Sequence, residues 1–275
     1  MPELPEVETI ARDLNDTVRG ATVATVRVFR PDVLREITPR SLAARCRGVV
    51  LERFWRRAKY VVADLSSGDR LVVSPRFTGA LLIEPGLWNA GAGDYTTIAF
   101  ALADGRTMRY RDVRRLGTVT LMKPARFKAW EATLGPEPLD AAYTDRAFTV
   151  AMRGSGRAIK TTLMDQRKVA GVGNIYANEA LWRARIRPTR RGAMLTHAEC
   201  RRLFKEVRAV LTTAVEQRGT SFRDYQDPFG GRGGFLELAK VYGRAGKPCV
   251  RCKTPLRSSH ALENRITVWC SSCQR

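Results

Sequence analysis

Two Cys-x-x-Cys pairs near the end of the chain restrict its fold more than any other feature. Cys249 pairs with Cys252 and Cys270 with Cys273, and 17 residues separate the two pairs. This spacing fits a tetrahedral site of four thiolates around one zinc ion. A segment of this size has too small an apolar core to fold well without the metal. Because four thiolates fill the coordination sphere, we expect one structural Zn²⁺ with no catalytic role.

The alternatives for these cysteines are two disulfides or a redox pair. Disulfides require an oxidising compartment. The first residues contain no basic segment followed by an apolar run, as a signal peptide would. We therefore expect a cytoplasmic protein. Cys46 and Cys200 are isolated and are expected to be ordinary thiols.

The chain carries a large excess of positive charge. It has 48 Lys and Arg against 27 Asp and Glu, a net charge of +21 over 275 residues. Such an excess repels itself unless a polyanion neutralises part of it. Nucleic acid is the leading candidate, because binding phosphates releases counterions. An acidic membrane surface is the weaker alternative, since no strongly amphipathic basic helix stands out.

The first half of the chain is predicted to be a short helix followed by an antiparallel β-sandwich. Short segments rich in branched residues are bounded by turn residues, which is typical of strands. These segments are Thr22–Phe29, Val49–Phe54, Tyr60–Leu65, Arg70–Ser74, Gly79–Glu84, Thr96–Leu102 and Thr107–Arg111. The Asp104-Gly105 dipeptide between the last two favours a hairpin.

The second half is predicted to be helical. Leu134–Pro138 is the best linker candidate, because Pro and Gly interrupt regular structure. Helical periodicity extends over residues 147–218, with Ala198–Gln217 the longest helix. The glycine-rich residues 219–238 are expected to form a mobile loop.

The N-terminal sequence MPELPEVETI suggests covalent catalysis by an amine. Once Met1 is removed, Pro2 offers a secondary amine, and the carboxylates of Glu3 and Glu6 follow. A terminal amine has a pKa of about 7.7–8.0, so a useful fraction is nucleophilic at neutral pH. With an aldehyde-level carbon it forms an iminium, which suits cleavage of a sugar. The alternative is a rigid helix start, with proline and acids in the first turn.

A second unusual segment is Ala170-Gly-Val-Gly-Asn174. Its glycines allow a close approach of the backbone, and Asn174 is predicted to be a helix N-cap. Backbone N–H groups at such a site can hold a phosphate. A simple packed turn is the alternative.

Taken together, these motifs resemble the bacterial formamidopyrimidine-DNA glycosylase family, whose relatives include endonuclease VIII. The matching motifs are PELPEVET, RRAKY at 56–60, RRLG at 114–117, LGPEPL at 134–139, residues 160–179, GTSFRDY at 219–225, VYGR at 241–244 and the terminal cysteine module. The family consists of bifunctional base-excision repair enzymes. They flip an oxidised base out of duplex DNA, cut its glycosidic bond and cleave the backbone.

The resemblance implies an α+β multidomain protein. It comprises an N-terminal helix with a two-layer antiparallel β-sandwich (residues 1–133), a linker (134–146), a helix–two-turn–helix domain with a lesion-capping loop (147–238) and a zinc ribbon (239–275). No organic cofactor is expected. The implied partner is damaged double-stranded DNA, bound by a monomer on the bacterial chromosome.

The resemblance also implies roles for individual residues. Pro2 matches the nucleophile, Glu3 the acid that protonates the sugar, and Glu6 a supporting acid. Lys59 matches a lysine that contacts phosphate or base, and Arg265 an arginine that clamps the phosphates of the damaged nucleotide. Further implied DNA contacts are Tyr95, Arg115, Arg157, Lys160, Asn174, Tyr242 and Arg244.

The chain departs from the family pattern at residues that, by the resemblance, insert into the stack of DNA bases around the damaged nucleotide. Phe77 stands at the position of a methionine wedge, and a phenyl ring can intercalate there. The alternative is that Phe77 is simply buried. Arg114 matches the arginine that pairs with the orphaned base, and Leu116 replaces a frequent phenylalanine. Gly234 stands where the capping loop often carries a tyrosine.

These departures leave the lesion preference open. Formamidopyrimidines and 8-oxoguanine are expected substrates, and a preference for oxidised pyrimidines is the enzyme alternative. A non-catalytic DNA-binding zinc-ribbon protein is the alternative from another class. A generic RNA-binding protein would explain the charge but not the amine–acid terminus.

Overall fold

The computed structural model describes residues 2–86, 94–220 and 228–275. The chain divides into two compact units. The first comprises Met1–Ala132 and Arg218–Gly233, and the second Thr133–Gln217 and Gly234–Arg275. The first unit is mainly β-structure and the second mainly helical, as the sequence predicts.

Helix α1 (Leu4–Val18) starts the first unit and buries one apolar stripe. Val7, Ile10, Leu14 and Val18 lie on this stripe at helical spacing, and each is at most 1 % exposed. The helix packs against the strands that follow, where Asn15 Oδ1 accepts a hydrogen bond from Phe54 N at 3.0 Å.

Eight strands of the first unit form two antiparallel sheets. They are β1 (Val23–Val28), β2 (Leu51–Arg57), β3 (Tyr60–Leu65), β4 (Arg70–Ser74), β5 (Gly79–Glu84), β6 (Thr96–Leu102), β7 (Thr107–Asp112) and β8 (Thr118–Met122). One sheet has the order β1-β6-β7-β5 and the other β2-β3-β4-β8. Inward residues of both sheets join α1 in one apolar core. The predicted two-layer sandwich is therefore confirmed.

Most predicted strands have the expected bounds, and the β6–β7 hairpin turns at Gly105, whose φ is +88°. Strand β8 and two helices, α2 (Pro39–Cys46) and α3 (Pro124–Glu131), were not predicted from the sequence. Helix α3 covers the outer face of the second sheet, where Trp130 lies 5.0 Å from Tyr60 between ring centroids. These short elements depend on tertiary packing, which a local pattern does not contain.

The second unit contains five helices and a two-stranded ribbon among its described residues. They are α4 (Asp145–Arg153), α5 (Ile159–Met164), α6 (Asn174–Arg183), α7 (His197–Glu216), α8 (Phe235–Leu238), β9 (Arg257–Ser259) and β10 (Thr267–Trp269). Helix α7 is the predicted long helix, and its N-cap Thr196 forms a capping box with Glu199. Within the described ranges, none of the helices combines the length and hydropathy needed to cross a bilayer.

The predicted linker Leu134–Pro138 is packed against the second unit. Gly135 N donates to Gln166 O at 2.8 Å, and Ala170 N donates to Pro136 O at 3.0 Å. A Cβ atom at Gly135 would lie 2.7 Å from Arg167 O, so the glycine allows this close approach. The segment is therefore the first packed part of the helical unit.

Two expectations for residues 219–238 need correction. They were expected to belong to the helical domain, yet Arg218–Gly233 belongs to the first unit. The reason is that hydrogen bonds attach this segment to the first unit: Thr220 N donates to Glu6, and Ile83 N donates to Pro228 O. The segment was also expected to be a loop throughout, but Phe235–Leu238 is helical. Residues 221–227 lie outside the described ranges.

We predict that Glu199 contributes stability that depends on pH. Arg190 donates two hydrogen bonds to its carboxylate at 2.6 and 3.0 Å. These bonds, helped by Thr196 N–H, lower the pKa of Glu199 to about 2. The stabilisation is therefore full above the ordinary carboxyl pKa and is lost as pH falls towards 2. Glu199→Gln should lower the free energy of unfolding by about 2 kcal/mol at pH 7.

Urea denaturation at pH 7, 4 and 3 measures this difference, which should shrink at each step. Glu216→Gln, at an exposed position of the same helix, is the control and should show no loss. A Glu199→Gln deficit that is equal at the three pH values would contradict the assignment.

Candidate active site and metal centre

Pro2, Glu3 and Glu6 are buried at the N-terminus of α1. Glu3 is 2 % and Glu6 1 % exposed, and Pro2 is buried as well. Glu6 Oε2 accepts a hydrogen bond from Glu3 N at 2.7 Å. The positive end of the helix dipole favours negative charge at this place. Two buried carboxylates therefore follow Pro2 in the chain, at a place that is shielded from water.

The second oxygen of Glu6 fixes a segment from late in the chain. Glu6 Oε1 accepts a hydrogen bond from Thr220 N at 2.6 Å. Gly219 has a φ of +84°, and a Cβ atom there would lie 2.7 Å from Glu6 Cγ. The preceding Arg218 forms an ion pair with Asp13 of the same helix. Arg218 and Thr220 are thus bonded to α1, and Gly219 between them lies close to the Glu6 side chain.

Lys59 lies in the turn between β2 and β3. Arg56 ties this turn to α1, because it donates to Glu8 Oε2 at 2.9 Å and to Ala58 O at 3.1 Å. Ala58 has a φ of +53°, and Lys59 is half-buried. The RRAKY motif therefore attaches the Lys59 turn to the helix that begins behind Pro2.

Phe77 and Leu116 are exposed at the tips of two loops of the first unit. Their exposed fractions are 40 % and 42 %, so the alternative that Phe77 is a core residue is wrong. The guanidinium of Arg114 lies 5.4 Å from the centre of the Phe77 ring. Two apolar side chains and one arginine form an exposed surface on this unit, which fits a stack-probing role.

Other implied DNA contacts of the first unit are also exposed. Tyr95 is 48 % exposed, and Arg111 lies 5.5 Å from its ring centre. Arg115 forms an ion pair with Asp32 at 3.1 Å, and both side chains are about half exposed. Such exposed pairs are weak, so the arginine can exchange Asp32 for a phosphate.

Lys160, for which the resemblance implies a phosphate contact, is buried in the second unit. It is 1 % exposed. Its ammonium donates to Thr267 Oγ1 at 2.8 Å and to Ile266 O at 3.0 Å. Lys160 therefore holds the start of β10, directly after Arg265. Arg265 itself is half-buried and follows two residues with positive φ, Glu263 and Asn264.

Asn174 is the first residue of α6, and the N-cap is Gly173. The prediction that Asn174 caps the helix is therefore wrong by one position, and its carbonyl accepts from Asn178 Nδ2 at 2.6 Å. The preceding turn contains Gly171 at a φ of +79°. Gln166 Oε1 accepts from Gly171 N at 2.8 Å and stabilises this turn.

Sequence reasoning missed two buried residues of α6 that hold the terminal module. Asn178 Oδ1 accepts from Val268 N at 2.9 Å. Glu179 is fully buried and accepts from the backbone N–H groups of Lys240, Val241 and Tyr242 at 2.8–2.9 Å. In the sequence, Asn178 and Glu179 are marked only by their position shortly after Gly173-Asn174. Tyr242 is thus fixed through its backbone.

Arg157 lies beside the hairpin that carries Arg265. Its guanidinium is paired with Glu263 at 2.7 Å and lies 3.6 Å from Asp165. The side chain is 53 % exposed, so a phosphate can compete for it. The predicted DNA contact and the predicted phosphate clamp are therefore neighbours in the second unit.

The four knuckle cysteines converge on one point. Their Sγ atoms all lie within 4.8 Å of one another, and Cys252 Sγ lies 3.4 Å from Cys270 Sγ. Tetrahedral thiolates at about 2.3 Å from a zinc ion would be about 3.8 Å apart. Trp182, Val241 and Leu256 pack around the buried cysteines. The donor set and its spacing fit a metal ion with no open coordination position.

Comparison with known proteins identifies the family. Residues 1–119 match the family model of the formamidopyrimidine-DNA glycosylase N-terminal domain. Residues 134–226 match that of the formamidopyrimidine-DNA glycosylase H2TH domain. Formamidopyrimidine-DNA glycosylase of Moorella thermoacetica is 42 % identical over 258 residues, which is 93 % of each chain. That of Carboxydothermus hydrogenoformans is 37 % identical over 100 % of both chains.

Solved structures agree with these matches. A Lactococcus lactis Fpg variant in complex with Fapy-dG-containing DNA has a TM-score of 0.92 at 28 % identity, with 100 % of both chains covered. The Fpg protein of Thermus thermophilus has a TM-score of 0.87 at 38 % identity, covering 99 % of this chain and 98 % of that one. The fold and site define a DNA glycosylase for oxidised bases. The chain belongs to the formamidopyrimidine-DNA glycosylase family.

We predict that the purified protein binds one equivalent of metal through the four clustered thiols. Cys270→Ser removes a buried ligand, so the metal content should fall to below about a tenth, since second-shell losses alone cost 10–100-fold in affinity. Elemental analysis after dialysis against a chelator measures it. Cys46 is buried in the apolar core of the first unit and is not one of the four clustered cysteines, so Cys46→Ala should retain the metal. Equal metal in wild type and Cys270→Ser would reject the site.

Proposed function

We propose that this chain removes oxidised bases from duplex DNA with Pro2 as nucleophile and then cleaves the backbone by successive eliminations. The observation that carries this proposal is the pair of buried carboxylates behind Pro2. A mere helix start needs no buried acids, because an N-cap or first-turn carboxylate works at the surface. Burying two of them is costly, and the hydrogen bonds from Glu3 N and Thr220 N stabilise the Glu6 carboxylate at this place.

In the first step, the Pro2 nitrogen attacks C1′ of the damaged nucleotide. The bond between C1′ and the base breaks with its electron pair going to the base, which takes up the proton that the Pro2 amine loses. Glu3 protonates the sugar ring oxygen as the bond between C1′ and that oxygen breaks and the ring opens. The product is an iminium between Pro2 and C1′. Because a proline iminium has no N–H to lose, it stays cationic.

In the second step, the iminium acidifies C2′. Loss of a C2′ proton expels the 3′ phosphate by β-elimination, and a second elimination expels the 5′ phosphate. Hydrolysis returns the free amine. Glu6 fixes the backbone of Glu3 and of residues 219–220 around this centre, and Lys59 contributes positive charge to the reacting phosphate or base.

The remaining residues hold the DNA. Arg265 clamps the phosphates of the damaged nucleotide, and Asn174, Arg157 and Tyr242 contribute further backbone contacts. Lys160 supports this set by fixing the strand next to Arg265. Phe77 fills the space of the flipped base, while Arg114 pairs with the base left behind. Leu116, Arg115 and Tyr95 complete the contact surface.

The metal in the four-cysteine site is proposed to be a structural Zn²⁺. Four thiolates match the ligand preference of zinc in closed sites, and the ion would fix the hairpin that carries Arg265. We propose that one monomer supplies every site and acts on the chromosome in the bacterial cytoplasm. Formamidopyrimidine and 8-oxoguanine are the proposed lesions. Oxidised pyrimidines are the second candidate, because Phe77 and Leu116 differ from the residues that the family often has where the protein contacts the base stack.

Borohydride trapping tests the proposal, because it reduces an iminium to a stable covalent adduct. The panel comprises duplexes with a formamidopyrimidine, 8-oxoguanine, an oxidised pyrimidine or an abasic site, and mass spectrometry confirms a Pro2 terminus. Wild type should be trapped, and Pro2→Gly should give little or no adduct. Pro5→Ala changes the other proline of the motif and should keep the adduct. The distribution over the panel identifies the lesion class.

An absence of adduct on every duplex, from protein with a free Pro2 and bound metal, would favour a non-catalytic DNA-binding protein. Unchanged trapping by Pro2→Gly would reject Pro2 as the nucleophile and leave the enzyme class intact.

We predict that Gly219→Ala lowers activity by displacing Glu6. The new Cβ atom would lie 2.7–2.8 Å from Glu6 Cγ and Oε1. The carboxylate must move, and a misplaced positioning group costs about 10²-fold in rate. Gly230→Ala is the matched control, because its φ is +81° and no atom lies within 4 Å of the added Cβ. Single-turnover excision should fall for Gly219→Ala only, and equal losses would show that backbone strain alone acts.

A further inference from the structure

The two loops that carry Phe77 and Leu116 end on one buried residue. The first probe loop is residues 75–78, between β4 and β5, and the second probe loop is residues 113–117, between β7 and β8. Asp112 is the last residue of β7 and is 1 % exposed. No sequence motif singled it out, since it precedes RRLG among several charged residues.

The Asp112 carboxylate binds both loops at once. Oδ1 accepts from Thr78 Oγ1 at 2.5 Å and from Arg114 N at 3.3 Å. Oδ2 accepts from Gly117 N at 2.8 Å. Thr78 Oγ1 in turn accepts from Arg114 N at 3.0 Å. One carboxylate therefore joins the end of the first probe loop to the start and the end of the second.

Tyr110 contacts Asp112 and the ends of both probe loops. It is fully buried, and its single hydroxyl proton is shared between two acceptors, Asp112 Oδ2 at 3.3 Å and Ser74 O at 3.4 Å. Burial, followed by the charge of Asp112, raises the pKa of Tyr110, so the hydroxyl keeps its proton. A Cβ atom at Gly79 or Gly117 would collide with this hydroxyl. The Tyr110 hydroxyl therefore lies against a glycine at the end of each loop, Gly79 directly after the first and Gly117 in the second.

The backbone of each loop is strained just before its tip. Arg76 and Arg115 both have a φ of +52°, a region that residues with a Cβ atom rarely occupy. Such strain persists only where the surroundings over-determine the conformation. Phe77 and Leu116 follow these residues directly, so the strained turns project them outward.

We propose that Asp112 is the positioning residue of a two-loop DNA probe and holds Phe77, Arg114 and Leu116 in one fixed arrangement. This inference rests on the proposed function of the two loops. Asp112 contacts no DNA and takes no part in the chemistry. Its role is to pre-organise the wedge and the arginine that reads the opposite base, so that both enter the stack together.

Asp112→Asn is the test, because the amide retains the shape and places an N–H₂ group against donors of one loop. Single-turnover excision from a formamidopyrimidine duplex requires base extrusion, whereas cleavage at a preformed abasic site does not. Loss of a charged acceptor should slow excision by about tenfold or more. Abasic-site cleavage should change by less than about twofold, since the iminium chemistry is untouched.

Two further variants separate this role from general damage to the fold. Asp69→Asn alters another buried carboxylate of the same unit, bonded to Arg45, and should leave the ratio of the two rates unchanged. Thr78→Val removes the bond that Thr78 donates to Asp112 and the bond that Thr78 Oγ1 accepts from Arg114 N, and it should lower the ratio in the same direction as Asp112→Asn. It also keeps the test available if Asp112→Asn does not fold.

A binding measurement does not depend on catalysis. The fluorescence of a 2-aminopurine placed beside an abasic-site analogue rises when an inserted side chain unstacks this base. Asp112→Asn should lose most of this signal while anisotropy shows unchanged affinity. Equal slowing of both reactions, or an unaltered rate ratio with unaltered 2-aminopurine signal, would overturn the positioning role. Wild type that gives no adduct on any duplex would instead reject the proposed function.

Discussion

Buried carboxylates that accept backbone N–H groups hold the functional loops of both units. Glu6 binds Glu3 N and Thr220 N, Asp112 binds both ends of the second probe loop, and Glu179 binds three consecutive amides. A buried charge is tolerated only where hydrogen bonds replace its hydration. Here fixed amide dipoles supply those bonds, and each loop gains one defined conformation from them. The proposed nucleophile, the DNA probe and the terminal module all depend on this one kind of contact.

This arrangement also leaves the cations of the protein available. The chain has 48 Lys and Arg. Glu6, Asp112 and Glu179 accept hydrogen bonds from backbone N–H groups, so these bonds do not use arginine side chains. Several exposed arginines do have acidic partners, such as Asp32 for Arg115 and Glu263 for Arg157. Pairs with this exposure contribute at most about 1 kcal/mol. A phosphate can therefore replace the carboxylate at little cost, and binding should weaken steeply as salt rises.

The sequence predicted features that depend on local spacing. The cysteine pairs, the Asp104-Gly105 hairpin and strands such as Tyr60–Leu65 follow from turn chemistry and periodicity, and the structure contains them. Features that depend on distant partners were missed or misplaced. Lys160 has the sequence of a surface cation, yet β10 covers it. Asp112 gains its importance from Thr78, 34 residues away. The one-residue shift of the α6 cap to Gly173 is the usual uncertainty of a helix end.

The return of Arg218–Gly233 to the first unit has a consequence for biosynthesis. The hydrogen bond between Glu6 and Thr220 joins residues 214 positions apart, and the chain leaves and re-enters the first unit before it ends. The β-sandwich can assemble early on the ribosome, because its strands are close in sequence. The surroundings of the amino terminus are complete only when most of the chain has been synthesised. A nascent chain would therefore carry its proposed Pro2 nucleophile before the hydrogen bond from Thr220 N to Glu6 can form, and a fragment truncated before residue 218 would contain all the strands of the sandwich but lack this bond.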